Sequence, residues 1–90
     1  MLENNFKITN QTGLDAKISS LLVTNASKFN CKIILQLNEL SVDLKSIMGV
    51  MSLNVCKGEF VKIVCSGTDE TEAMKQLITI INDNKIGKEY

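Results

Sequence analysis

The chain contains no histidine, no proline and no tryptophan. It has no arginine either, so all ten cationic side chains are lysines. Each absence removes a class of chemistry. Without histidine there is no imidazole to act as acid or base near neutral pH, to bind a metal or to form a phosphohistidine. Without arginine there is no planar, two-pronged clamp for phosphate or carboxylate. No apolar run approaches the roughly 18 residues of a membrane span, so no membrane segment is expected. The three cysteines, Cys31, Cys56 and Cys65, are odd in number, and no pair has CxxC spacing. That pattern predicts small buried hydrophobes in a reducing compartment, not a disulfide framework or a zinc site. Ten lysines balance ten acidic residues. A net charge of zero argues against a nucleic-acid or membrane-surface partner recognised by bulk electrostatics. The opening "MLENNFKITN" lacks the basic, apolar and cleavage regions of a signal peptide, so a cytoplasmic location is expected.

What is present suffices for one compact core. Ninety residues, 44% of them hydrophobic, predict a single domain spanning 1–90. In "NFKITN", Phe6 and Ile8 alternate with Lys7, as in a half-buried strand. "TGL" follows as a turn in which Gly13 can take positive φ. Asp15 precedes a helical stripe of Ile18, Leu22 and Ala26, with Leu21 beside it and Phe29 beyond. "KIILQL" puts Ile33, Leu35 and Leu37 on one face of a second strand. "NE" at 38–39 reads as a tight turn, because Asn tolerates left-handed φ. "LSVDL" then places Leu40, Val42 and Leu44 together. A short helix follows Ser46, and Gly58 turns the chain into "EFVKIVCSG", where Val61, Ile63 and Cys65 share a face. Asp69 and Glu72 form a D-x-x-E helix start resembling a capping box. Ala73, Met74, Leu77, Ile78 and Ile81 make the final stripe. The polar tail "NDNKIGKEY" is expected to fray. The order is βαββαβα, an α+β arrangement with helices on one side of a mostly antiparallel sheet.

The short helix "LKSIMGVMSL" carries two apolar faces, and a surface helix can bury one. Val50 and Leu53, three apart, are assigned to the core. Ile47, Met48 and Met51 remain as an exposed patch suited to a partner. Methionine adapts to more than one partner surface. Complete internal packing of all five is the competing expectation. Ser46 stands where a helix N-cap belongs, and a cap contributes about 1 kcal/mol. A phosphoryl group there would add nearly two negative charges at the positive end of the helix dipole.

"LKSIMGVMSLNV", followed by "GEFVKIVCSGTDETEA", resembles the HPr family, the small phosphocarriers of the bacterial phosphoenolpyruvate-dependent sugar phosphotransferase system. The resemblance covers nearly the whole chain. It implies an open-faced β-sandwich with a four-stranded antiparallel sheet and three helices on one face. It implies phosphorylation of Ser46 by the ATP-dependent HPr kinase/phosphorylase. It implies docking through Ile47, Met48 and Met51 to that kinase, to enzyme I and to a catabolite-repressor-type transcription regulator. No cofactor is implied.

"GLDAKIS" departs from the family's Gly-Leu-His-Ala-Arg-Pro-Ala. Asp15 falls at the phosphorylated histidine, Lys17 at the arginine and Ile18 at the proline. The usual histidine relay therefore has no acceptor. Asp15 can serve as a helix N-cap, as a fixed anion partly mimicking a phosphoryl group, or as an acyl-phosphate site. Lys17 retains a point charge and could meet an acidic partner. The chain is thus similar to Crh, the family's regulatory branch that also lacks the histidine. The expected role is regulatory, with no turnover of its own. The alternatives are a carrier using Asp15, or an unmodified docking or decoy module.

Overall fold

The computed structural model describes residues 1–90. Its elements are β1 (Leu2–Ile8), α1 (Ala16–Ala26), β2 (Lys32–Leu37), β3 (Leu40–Asp43), α2 (Ile47–Ser52), β4 (Phe60–Ser66), α3 (Glu70–Asp83) and β5 (Gly87–Glu89). The strands form one antiparallel sheet in the order β3-β2-β4-β1-β5. Alternation along each strand decides which face the helices cover. Phe6 and Ile8 of β1, Ile33, Leu35 and Leu37 of β2, and Val61, Ile63 and Cys65 of β4 are all buried. They join Leu22 and Ala26 of α1, Val50 of α2, and Ala73, Met74, Leu77, Ile80 and Ile81 of α3 in one cluster of 22 buried apolar residues. The other sheet face is left open, which is the expected α+β open-faced sandwich.

Among the turns that take left-handed backbone, two show why their residues suit them. Asn38 takes φ 56° between β2 and β3, so the β2–β3 hairpin closes without a glycine. Gly13 takes φ 65°, and a Cβ there would lie 2.2 Å from the Val55 carbonyl oxygen. That close approach excludes any side chain at this position.

Four expectations need correction. The sheet has five strands, not four, because the tail does not fray. Ile86 is the one aliphatic side chain of the tail, and it is fully buried. Its amide donates to Ile81 O at 2.9 Å, and Tyr90 N donates to Asn5 O at 2.8 Å. One apolar anchor thus pulls Gly87–Glu89 onto the edge of β1, in register Phe6↔Glu89 to Ile8↔Gly87. The first strand also begins earlier than "NFKITN", at Leu2, because β4 pairs with it from Leu2↔Cys65 onward. Leu40 does not join Val42 and Leu44 in shelter. It lies opposite Leu37 at the hairpin end of an edge strand, beyond the reach of the helices, and is exposed.

The capping box at α3 does not form. Asp69 is the N-cap residue but makes no side-chain capping bond. Its carboxylate instead accepts from the amides of Asn30 and Cys31, each at 2.8 Å. Two amides of the α1–β2 turn would otherwise lack a partner, and they outcompete the local cap. Glu70, not Glu72, accepts from the amide of Gly67 at 3.0 Å.

Candidate functional site

Two helix starts gather the polar groups that the sequence singled out. At the first, Asp15 caps α1. Its Oδ1 accepts from the amide of Ile18 at 2.9 Å, and its Oδ2 accepts from the Thr12 hydroxyl at 2.6 Å. Asn10 Nδ2 in turn donates to Thr12 Oγ1 at 3.0 Å and to Gly13 O at 2.8 Å. The Ile18 amide, and after it the Thr12 hydroxyl, hold the Asp15 carboxyl below its usual pKa. Asp15 is therefore a carboxylate with both oxygens engaged. Beside it runs an open groove of about 740 Å³ lined by Asn10, Thr12, Lys17, Ser20, Thr24 and Asn84, among others. Lys17 is exposed on its rim. Thr12 and Asn10 were not among the candidate residues of the sequence. The signal available was the T-x-x-D spacing, which lets a hydroxyl reach a carboxylate three residues on.

At the second, Ser46 caps α2. Its Oγ accepts from the amide of Gly49 at 3.1 Å. Six residues are too few for a helix to persist on propensity alone, so packing must hold α2. Val50 is 0% exposed and Leu53 8%. The opposite side is open, with Met48 80% exposed, Met51 41% and Ile47 40%. The division of the apolar residues into a core pair and an exposed trio is the one that the three-residue spacing suggested. Asn54 closes the helix in left-handed backbone, φ 50°.

The two starts lie at opposite ends of a helix pair. Lys45 Nζ, just before α2, donates to Phe29 O beyond the end of α1 at 2.7 Å. At the other end, Leu14 N donates to Val55 O at 3.0 Å. So α2 runs back along α1, an 11-residue helix of about 16 Å. Asp15 and Lys17 stand at one end, and the groove beside them extends along α1 as far as Thr24. Ser46 stands at the other, and Ile47, Met48 and Met51 continue from it along α2.

The polar acceptor groups at the two helix starts thus lie on an open surface of a small open-faced sandwich. Residues 2–83 match the family model described as the PTS HPr component phosphorylation site. The histidine-containing phosphocarrier protein of Mycoplasma has the same fold with TM-score 0.93 and 31% identity, over 96% of this chain and 98% of that one. HPr of Thermoanaerobacter tengcongensis matches with TM-score 0.88 and 43% identity, over 92% and 93%. Crh, a catabolite repression protein of Bacillus subtilis, matches with TM-score 0.72 and 36% identity, over 82% and 85%. The chain belongs to the HPr family of the phosphotransferase system.

Proposed function

We propose that this HPr-family chain is a regulatory phosphoacceptor of the cytoplasm, modified on Ser46 and without catalytic turnover of its own. One observation carries the reading. The Ser46 hydroxyl caps α2, and the exposed side chains of Ile47, Met48 and Met51 follow it directly. A change of charge at Ser46 therefore falls at the edge of an apolar docking patch. HPr kinase/phosphorylase would supply ATP and the base. Ser46 Oγ attacks the γ-phosphorus, the bond from that phosphorus to the bridging oxygen of ADP breaks, and the hydroxyl proton passes to the kinase's base. The product carries about −1.5 to −2 charges at the positive end of a helix, where they are tolerated without refolding. The partner of the phosphorylated form is a catabolite-repressor-type transcription regulator. The likeness to Crh, a protein named for catabolite repression, supports that choice.

Asp15 stands at the place of the family's histidine and acts as a permanent anion, with Lys17 as a single cation beside it. Enzyme I could still dock on the shared surface. A carrier role for Asp15 is the weaker reading. Its oxygens are committed to Ile18 and Thr12, and a carboxylate held below its usual pKa is a poorer nucleophile toward phosphorus.

Intact mass after incubation with ATP and HPr kinase/phosphorylase tests the assignment, with an ordinary HPr in the same tube. One phosphoryl gain, mapped to Ser46 and absent from Ser46→Ala, is the expected result. No gain while the ordinary HPr is modified would leave the unmodified docking module. Met48→Ala should shift folding stability by no more than about 0.5 kcal/mol. It should weaken binding of the phosphorylated chain to the regulator about tenfold.

A further inference from the structure

Gly49 lies in the middle of α2, where glycine weakens a helix relative to alanine. Its backbone conformation does not require glycine, since it is not among the positive-φ positions. The reason is space. A Cβ on Gly49 would lie 3.3 Å from Ser46 Oγ, 3.4 Å from Val42 Cβ and 3.5 Å from Ser46 Cβ. Only the first of these is tight, and it asks its neighbour to give by a few tenths of an ångström. Val42 is fixed opposite Leu35 in the β2–β3 ladder and packs against the core. The Ser46 side chain is the part free to turn. Even a small turn would lengthen the bond that Oγ now accepts from the Gly49 amide at 3.1 Å.

We propose that Gly49 is a positioning residue for phosphorylation of Ser46: its missing side chain holds the hydroxyl in the capping rotamer and leaves open the space beside Oγ that the phosphoryl group enters. The inference rests on the reading of Ser46 as the phosphoacceptor. The Gly49 amide occupies one lone pair of Oγ. The other lone pair and the hydroxyl proton remain for the incoming phosphorus and the kinase's base. The Oγ–P bond forms, the bond from the γ-phosphorus to ADP breaks, and the proton leaves to that base. A methyl group on residue 49 would crowd Oγ on the side of the Gly49 backbone and disturb that alignment. Gly49 adds nothing to the docking patch, so its effect falls on the transfer step and not on recognition.

Steady-state phosphorylation by HPr kinase/phosphorylase with ATP, comparing the natural chain with Gly49→Ala, separates the two. Gly49→Ala should keep KM for the chain within about twofold and lower kcat about tenfold or more. Its unfolding midpoint should stay near that of the natural chain, since the better helix former offsets the weakened cap. Equal kcat for the two proteins would falsify the assignment while leaving the Ser46 reading intact. Failure to label the natural chain, with an ordinary HPr labelled alongside, would remove both. A second measurement does not depend on the variant folding. In a crystal structure of the phosphorylated natural chain, phosphoryl oxygens should be in van der Waals contact with Gly49 Cα. A phosphoryl group turned away from Gly49 would equally overturn the proposal.

Discussion

Cys31 and Cys65 line the helix-covered side of the sheet, and both thiols are free. Burial, and then the neighbouring Cys31, pushes the Cys65 thiol up to about 12. Burial, and then Asp69, raises that of Cys31. Thiolate, the reactive form, is therefore suppressed at both. Cys56 is exposed on the turn after α2. Brief alkylation of the folded chain at about pH 8 should place one adduct, on Cys56. The other two should react only after unfolding, and mass mapping that finds Cys31 or Cys65 modified in the folded chain would contradict this. The odd count and the spacing pointed to three small buried hydrophobes, an expectation that holds for Cys31 and Cys65 and fails for Cys56, which lies exposed on its turn. Which one reaches solvent depended on the turn geometry. Asp15 shows the same boundary. Its rank as a capping residue made the α1 cap legible, but its second oxygen is claimed by Thr12 through a loop conformation that local propensity does not specify.

Among the elements, α2 was the most legible and β5 the least. Spacing alone separates Val50 and Leu53 from Ile47, Met48 and Met51, because a helix has one buried side. For β5 there was no periodicity to read, only one isoleucine among polar residues. That isoleucine decides the matter, because it is fully buried in the core cluster just after α3. Ile86→Ala should therefore destabilise the fold by about 2–5 kcal/mol, as for other buried aliphatic truncations. Urea unfolding measures the loss. Amide exchange should show Tyr90 N and the β1–β5 bonds opening first in the variant. A loss below about 0.5 kcal/mol would mean that the strand is an ornament of the edge.

Acid dependence belongs to the molecule as a whole, because several carboxylates tie separate segments together. Asp69 is held below its ordinary value of 3.8, first by the Asn30 amide. Asp15 is held below the same value by Ile18 and Thr12. Glu70 lies below 4.5, through the Gly67 amide and then the N-terminal ammonium, which sits 2.8 Å away. A folded-state pKa below the unfolded one means that the unfolded chain binds more protons in this range. Their stabilisation is complete above the unfolded values, and it is lost as the pH falls through the folded ones. The folded chain should thus weaken from about pH 5 downward in urea titrations. Asp69→Asn keeps one acceptor and loses the charge. It should be less stable than the natural chain near neutral pH and should lose less on going to about pH 3. Parallel pH profiles for the two proteins would show that Asp69 contributes nothing to acid sensitivity.

The strand and helix periods, the glycine and asparagine turns and the Ser46 and Asp15 caps were determined by the sequence itself, since each rests on residues within a few positions of one another. The missing histidine and arginine likewise bounded the chemistry before any fold was known. The tertiary structure alone decided the fifth strand, the diversion of Asp69 to the α1–β2 turn and the exposure of Leu40. Each of these depends on a partner distant in the chain, and its free energy exists only once the sheet and helices have brought that partner into contact.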